Sequence, residues 1–256
     1  MKSVLLLVLL LAACKRPEPA PDLADGAASG PCRSLAHEGE RFTVCRDPSA
    51  RLEFHVAGRD GRPLRSFAAL EQALGGKADR VRFAMNAGMF DEEGQPIGLA
   101  IAEARELRSL NRRTNGGGNF HMQPNGVFLV RNGGRAEVVT TAAFTPSPDI
   151  RLATQSGPML VIDGQVGPRF DADGQSRYVR NGVGVDGQGV PVFAISDHPV
   201  SFGKFARLFA GPLGCRNALY LDGSVSSLWD PANNRMDSFA AIGPMLVALG
   251  TEGKVP

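Results

Sequence analysis

Five stretches of the chain share one grammar: an apolar run meets amides, hydroxyls or charge beside a glycine. They are AMNAGMF at 84–90, GNFHMQPNGVF at 118–128, ATQSGPML at 153–160, YVRNGVGV at 178–185 and ALYLDGS at 218–224. Together they offer the amides Asn86, Asn125, Gln155 and Asn181, the hydroxyls Ser156 and Ser224, the arginine Arg180 and the carboxylate Asp222. Amides and hydroxyls suit a polyhydroxylated ligand, a guanidinium suits an anion, and a carboxylate at a rigid strand end can attack or activate water. Gly223 would let a substrate approach the Asp222 backbone. Asp197, at the end of VFAIS, is the best second carboxylate. Each stretch alone is more often a turn than a site, since Asp-Gly and Asn-Gly are common hairpin dipeptides.

Other motifs carry less. GVGVDG at 182–187 spells GxGxxG but runs on into strand-like QGVPVFAIS, whereas a dinucleotide site needs a helix there. It reads as a hairpin turning at Asp186-Gly187. Asp171, Asp173 and Gly174 lack the downstream glutamate of a calcium loop. Ser196, Asp197 and His198 are adjacent, and neighbours in sequence cannot form a triad among themselves. The chain has neither CxxC nor HExxH. No metal and no cofactor are therefore expected.

The ordered set NAGMF, PNGVF, QSGPML, RNGVGVD and ALYLDGS resembles the phosphodiester glycosidase family, specifically its bacterial lipoprotein branch, from about Phe83 to Pro244. The family includes the uncovering enzyme, which removes N-acetylglucosamine from a sugar 1-phosphodiester. The resemblance implies a hydrolase that cleaves a sugar from a sugar 1-phosphodiester or a related envelope glycan. Expelling a phosphate monoester needs less acid help than an ordinary glycoside, where two carboxylates are usual, but it does need charge stabilisation. On that reading Asp222 is nucleophile or base, Arg180 clamps the phosphate, and Asp197 is in reserve. Asn86, Asn125, Gln155, Ser156, Asn181, Gly223 and Ser224 would hold the substrate. The same pocket would also serve a non-catalytic periplasmic lipoprotein that captures a glycan or glycerophosphate. The environment of Asp222 separates the two.

These residues need a frame. Nine short apolar runs, most bounded by Gly, Asn, Asp or Pro, predict strands: 42–45, 52–56, 81–85, 126–130, 137–140, 159–162, 190–195, 218–221 and 245–249. Helical spacing appears at 66–74 and 201–209, each opening on a serine suited to an N-cap. With 31 glycines, the class is α+β, one domain at 32–256 with a Gly-rich mixed or antiparallel sheet framework and few helices. Lysine and arginine total 28 against 26 acidic residues, and no basic run stands out, which argues against a nucleic-acid partner.

The first residues, MKSVLLLVLLLAAC at 1–14, read as a lipoprotein signal peptide whose lipobox ends on the lipidated Cys14. KRPEPAPDLADGAASGP at 15–31 is a flexible tether. Lys15 places the anchor by default in the outer membrane, with the domain facing the periplasm, so the membrane is met only through lipid. In that oxidising compartment Cys32 and Cys45 can close a short loop and leave Cys215 free, while a Cys45–Cys215 pair also fits the count.

Overall fold

The computed structural model describes residues 30–251; the signal segment, most of the tether, the Cys14 anchor and the last five residues lie outside the described residues. The first hairpin joins β1 (Cys32–His37) to β2 (Glu40–Cys45), and β3 (Arg51–His55), helix α1 (Phe67–Leu74) and β4 (Val81–Asn86) follow. Next come β5 (Ala100–Ala102), β6 (Arg105–Arg108), β7 (Gly126–Arg131), β8 (Ala136–Thr140) and β9 (Ile150–Ser156). Then β10 (Met159–Ile162), β11 (Gln165–Val166), β12 (Asn181–Val185) and β13 (Pro191–Ser196) lead to helix α2 (Phe202–Ala210). The last elements are β14 (Asn217–Tyr220), β15 (Leu228–Asp230), β16 (Arg235–Met236) and β17 (Met245–Leu249).

Local chemistry places these elements where the patterning predicts them. Ser66 caps α1 by accepting from the Ala69 N–H, and Ser201 caps α2 by accepting from the Lys204 N–H, each filling a donor that the first turn leaves open. Asn132-Gly133-Gly134 turns β7 into β8, with both glycines at positive φ. GVGVDG is indeed a hairpin: β12 pairs antiparallel with β13, and Asp186 Oδ1 accepts from the N–H groups of Gln188 and Val190.

Among the described residues the strands form one sheet of seven, in the order β1-β2-β13-β12-β14-β10-β11, and two of five, β16-β15-β4-β17-β3 and β6-β5-β9-β7-β8. Their ladders are antiparallel, and α1 and α2 are the only α-helices described. The α+β expectation thus holds in its antiparallel form. The sheets meet on aromatic contacts. Phe193 of β13 sits edge-on to Phe83 of β4 (5.3 Å) and to Phe128 of β7 (5.9 Å), so one ring touches all three sheets. Phe205 and Phe209 of α2 cover the seven-stranded sheet as core residues, as the helical spacing implies.

Cys32 and Cys45 face each other across β1 and β2 and form a disulfide, while Cys215 is a free, buried thiol, which sets aside a Cys45–Cys215 pair. The bond closes a loop of sequence separation 13. Replacing both by serine (Cys32→Ser/Cys45→Ser) is expected to lower unfolding stability by about 2–3 kcal/mol, mainly through the freed unfolded chain. Urea unfolding of wild type and variant measures it, and equal midpoints with equal slopes would show that the β1–β2 hairpin needs no staple.

Candidate functional site

All five polar stretches meet where strand ends cluster. Asn86 ends β4, Ser156 ends β9 and Tyr220 ends β14, while Gly126 begins β7 and Asn181 begins β12. The antiparallel order brings these ends together even though Asn86 and Asp222 stand 136 residues apart in sequence.

Asn86 is the knot of the cluster. Its Nδ2 donates to the Asp222 carbonyl (2.7 Å), and its Oδ1 accepts from Asn181 Nδ2 (2.9 Å) and from the Ser227 N–H (2.8 Å). Asn181 Nδ2 also donates to the Asn86 carbonyl, and Asn181 Oδ1 accepts from Ser226 Oγ. Both amides are fully buried. This corrects the substrate-holding role expected of Asn86 and Asn181: their polar atoms are engaged with backbone and with each other, so they position the site.

Gln155 receives the same correction. Its Oε1 accepts from the N–H groups of Leu99 and Asn111, and its Nε2 donates to the Asn111 carbonyl and Thr141 Oγ1. The amide's hydrogen-bonding groups are occupied, and it pins the 97–111 segment to β9. Asn125 and Ser156 differ. Asn125 Nδ2 holds the Phe120 carbonyl, but its Oδ1 is buried without a protein partner, and so is Ser156 Oγ. The two atoms are enclosed on neighbouring strand ends, a state that His37 Nε2 and Asp230 Oδ1 share elsewhere in the fold.

Asp222 follows β14 at the edge of this cluster and is nearly buried, 9% exposed. Its main chain is fixed on both sides, the N–H donating to the Ala87 carbonyl and the C=O accepting from Asn86. Its carboxylate accepts from the Ser224 N–H (3.1 Å) and forms no ion pair among the described residues. Burial pushes the carboxyl above its ordinary value, and the Ser224 hydrogen bonds pull it partly back. Ser224 itself is exposed. Gly223 is not at positive φ, so the Asp-Gly pair is no primed hairpin turn here. A Cβ at Gly223 would collide with the Tyr220 hydroxyl, and that close approach is what requires glycine.

Arg180 departs most from expectation. It is fully buried: Nε donates to the Val200 carbonyl, Nη2 to Ser176 and Nη1 to Tyr220 Oη (3.3 Å). The guanidinium lies 3.5 Å from the Phe202 ring centroid, and burial lowers its pKa. Its fork is turned into the protein, so it is not presented to solvent as a phosphate clamp. It reaches the site through Tyr220, whose hydroxyl burial pushes up to about 12. Asp197 also lies apart in its contacts, Oδ1 accepting from Thr43 Oγ1 of β2. No hydrogen bond or ion pair links Asp197 to Asp222 or Arg180 among the described residues.

Sequence reasoning missed Tyr220, Ser226 and Ser227. Tyr220 stands inside an apolar run and looks like core, and the serines follow Asp222 as ordinary loop residues. The one available signal was the chain's scarcity of tyrosine, two in all.

Comparison with known proteins follows this geometry. The family model described as phosphodiester glycosidase matches residues 79–248, a span that holds every strand end named above. The uncharacterized protein YigE of Escherichia coli (strain K12) is 39% identical over 150 residues, which are 59% of this chain and 58% of that protein, less than two thirds of its length. The chain is also similar to the zebrafish N-acetylglucosamine-1-phosphodiester alpha-N-acetylglucosaminidase catalytic domain auto-inhibited by its pro-peptide. There the TM-score is 0.55 at 14% identity, covering 86% of this chain and 81% of that one. A hypothetical protein from Synechocystis aligns with a TM-score of 0.52 at 15% identity, covering 86% of this chain and 61% of that one. At these identities the structural likeness establishes the fold.

The electrostatics of Asp222 carry a sign that can be measured. With its folded pKa raised, the native state holds a proton that the unfolded chain releases, so stability falls as pH climbs from the unfolded aspartate range through the raised value. An Asp222→Asn variant should thus match or exceed wild-type Tm at pH 7. Its advantage should shrink as pH falls through the unfolded aspartate range and vanish by about pH 3, where the wild-type carboxyl is protonated in both states. A variant that melts lower at pH 7 would mean that the ionised carboxylate stabilises the fold.

Proposed function

The chain belongs to the phosphodiester glycosidase family, and from that membership we propose that it hydrolyses the anomeric C1–O bond of a sugar 1-phosphodiester in the cell envelope. One observation carries the reading: Asp222 is a buried carboxylate with no cation beside it, held by its backbone at a strand end. A structural aspartate in that setting would be expected to pair, because an unpaired buried charge is costly, and such perturbed carboxylates cluster at functional sites.

In the proposed reaction Asp222, ionised, either attacks C1 to form a glycosyl ester that water then hydrolyses, or takes a proton from the attacking water; in both cases the sugar–phosphate C1–O bond breaks with its electron pair leaving on the phosphate. A raised pKa brings the carboxyl closer to working pH, where a base is most effective. Ser224, exposed beside the carboxylate, meets a sugar hydroxyl, while the enclosed Asn125 Oδ1 and Ser156 Oγ act on the substrate through a bridging water. Tyr220 accepts from Arg180, which leaves its own O–H to donate, polarised by the guanidinium behind it. Arg180 thereby lends its charge to the leaving phosphate as a positioning residue. Asn86, Asn181 and Gln155 fix the frame, and Gly223 and Ser224 line the turn beside the carboxylate.

We also propose that the mature protein is a lipoprotein anchored through Cys14, with the tether at 15–31 holding the domain on the periplasmic side of the outer membrane. Replacing Cys14 by serine is expected to release the protein from the membrane fraction or leave it unprocessed. A processed, membrane-bound Cys14→Ser protein would refute the lipobox.

Incubating the purified protein with a panel of sugar 1-phosphodiesters and neutral aryl glycosides tests the activity. Phosphodiesters should be cleaved, and Asp222→Asn should reduce turnover at least about 10²-fold while the protein stays folded. An active, folded Asp222→Asn protein would remove Asp222 from the chemistry. Binding of these compounds without hydrolysis by wild type would make the protein a capture module.

A further inference from the structure

A second concave region lies away from the strand-end cluster. A cavity of about 760 Å³ opens between the edge strand β3 of one five-stranded sheet and β5, β6 and β9 of the other, and neither Asp222 nor Arg180 lines it. Its walls carry six cations: Arg51, Arg59, Lys77, Arg105, Arg108 and Arg151. Only Glu53 and Glu103 oppose them among the lining residues, and Glu53 is already paired with Lys77 (3.7 Å) and His55 (3.1 Å). Arg51, Arg59, Arg105, Arg108 and Arg151 form no ion pair with a carboxylate among the described residues.

The crowding is visible on Arg151. Its Nη1 donates to the Leu52 carbonyl, tying β9 to β3, and its pKa is lowered by burial and then by the like charge of Arg51. Like charges gathered in a concave, partly apolar wall raise the local potential and the local concentration of anions. Five of the six are arginine, whose planar fork grips two oxygens of an oxyanion at once, where lysine offers only a point charge. Phe54, Leu74, Leu107 and Pro96 add an apolar flank, and the volume falls within the range of small-molecule sites.

We propose that this cleft is a binding site for a ligand bearing two or more phosphate groups, distinct from the hydrolytic site. Arg105 and Arg108, exposed on edge strand β6, and Arg51 and Arg151 across the cleft would each hold phosphate oxygens. The phosphates can come from one soluble ester or from two neighbouring lipid headgroups, and the same arginines serve both.

The test is calorimetric titration of the purified protein with inorganic triphosphate, alongside sedimentation with phosphatidylcholine vesicles that contain or lack phosphatidylglycerol. The Arg105→Ser/Arg108→Ser variant changes only exposed side chains, and circular dichroism checks its fold. Wild type should bind one triphosphate per chain, and the double variant at least about tenfold more weakly, the effect of losing charge-assisted hydrogen bonds. Asp222→Asn should bind triphosphate as wild type does, which separates this site from the hydrolytic one. Binding of anionic vesicles alone, lost in the double variant, would support the site with lipid as the phosphate source. No binding to either probe, or binding that the double variant keeps, overturns the proposal.

Discussion

The site depends on one buried side-chain amide. Asn86 joins three chain segments through hydrogen bonds of 2.7–2.9 Å to Asp222, Asn181 and Ser227, and it does so where no water can substitute. A hydrogen bond is worth little net while its partners can return to solvent, but a buried group left unsatisfied forfeits its full solvation. The knot is therefore all or nothing. With it intact, the Asp222 backbone has a single address; without it, three strand ends lose their common reference.

That fixed address explains how a carboxylate and a guanidinium share a neighbourhood without neutralising each other. A direct bridge between Asp222 and Arg180 would pull the carboxyl down and leave it inert. Instead Tyr220 takes the guanidinium's hydrogen bond, Phe202 covers its face, and Gly223 makes room for the tyrosine hydroxyl. The arginine keeps its charge inside the wall, and the aspartate keeps a carboxylate that no cation neutralises. Helix α2 belongs to this arrangement, since Phe202 in its first turn is the ring against Arg180.

Much of the frame was legible in the sequence because it is written in local terms. Nine apolar runs became strands, and two serine-capped segments became helices, within a residue or two of the expected bounds. Convergence of the polar stretches was also legible, through their repeated grammar. Their roles were not. A sequence shows that Gln155 carries an amide, but the four partners that occupy it lie on segments 14 to 56 residues away. Arg180 was read by charge, and its burial depends on Val200, Ser176 and Tyr220 closing around it. Short strands such as β6 and β16 escaped notice, β6 because it is exposed throughout and shows no alternation. The basic cleft was invisible for a related reason: its cations are spread from Arg51 to Arg151, and no window along the chain holds a run of them.

The wide separation of Asn86 from Asp222 also sets a timetable. A polypeptide made from its N-terminus exposes β4 early, yet Asp222, Ser226 and Ser227 appear only near its end. Until that last stretch is free to fold, the chain has no carboxylate in place and no partners for Asn86. The strand-end cluster is therefore among the last parts of the fold to close, and β4 must wait for it with its amide unpartnered.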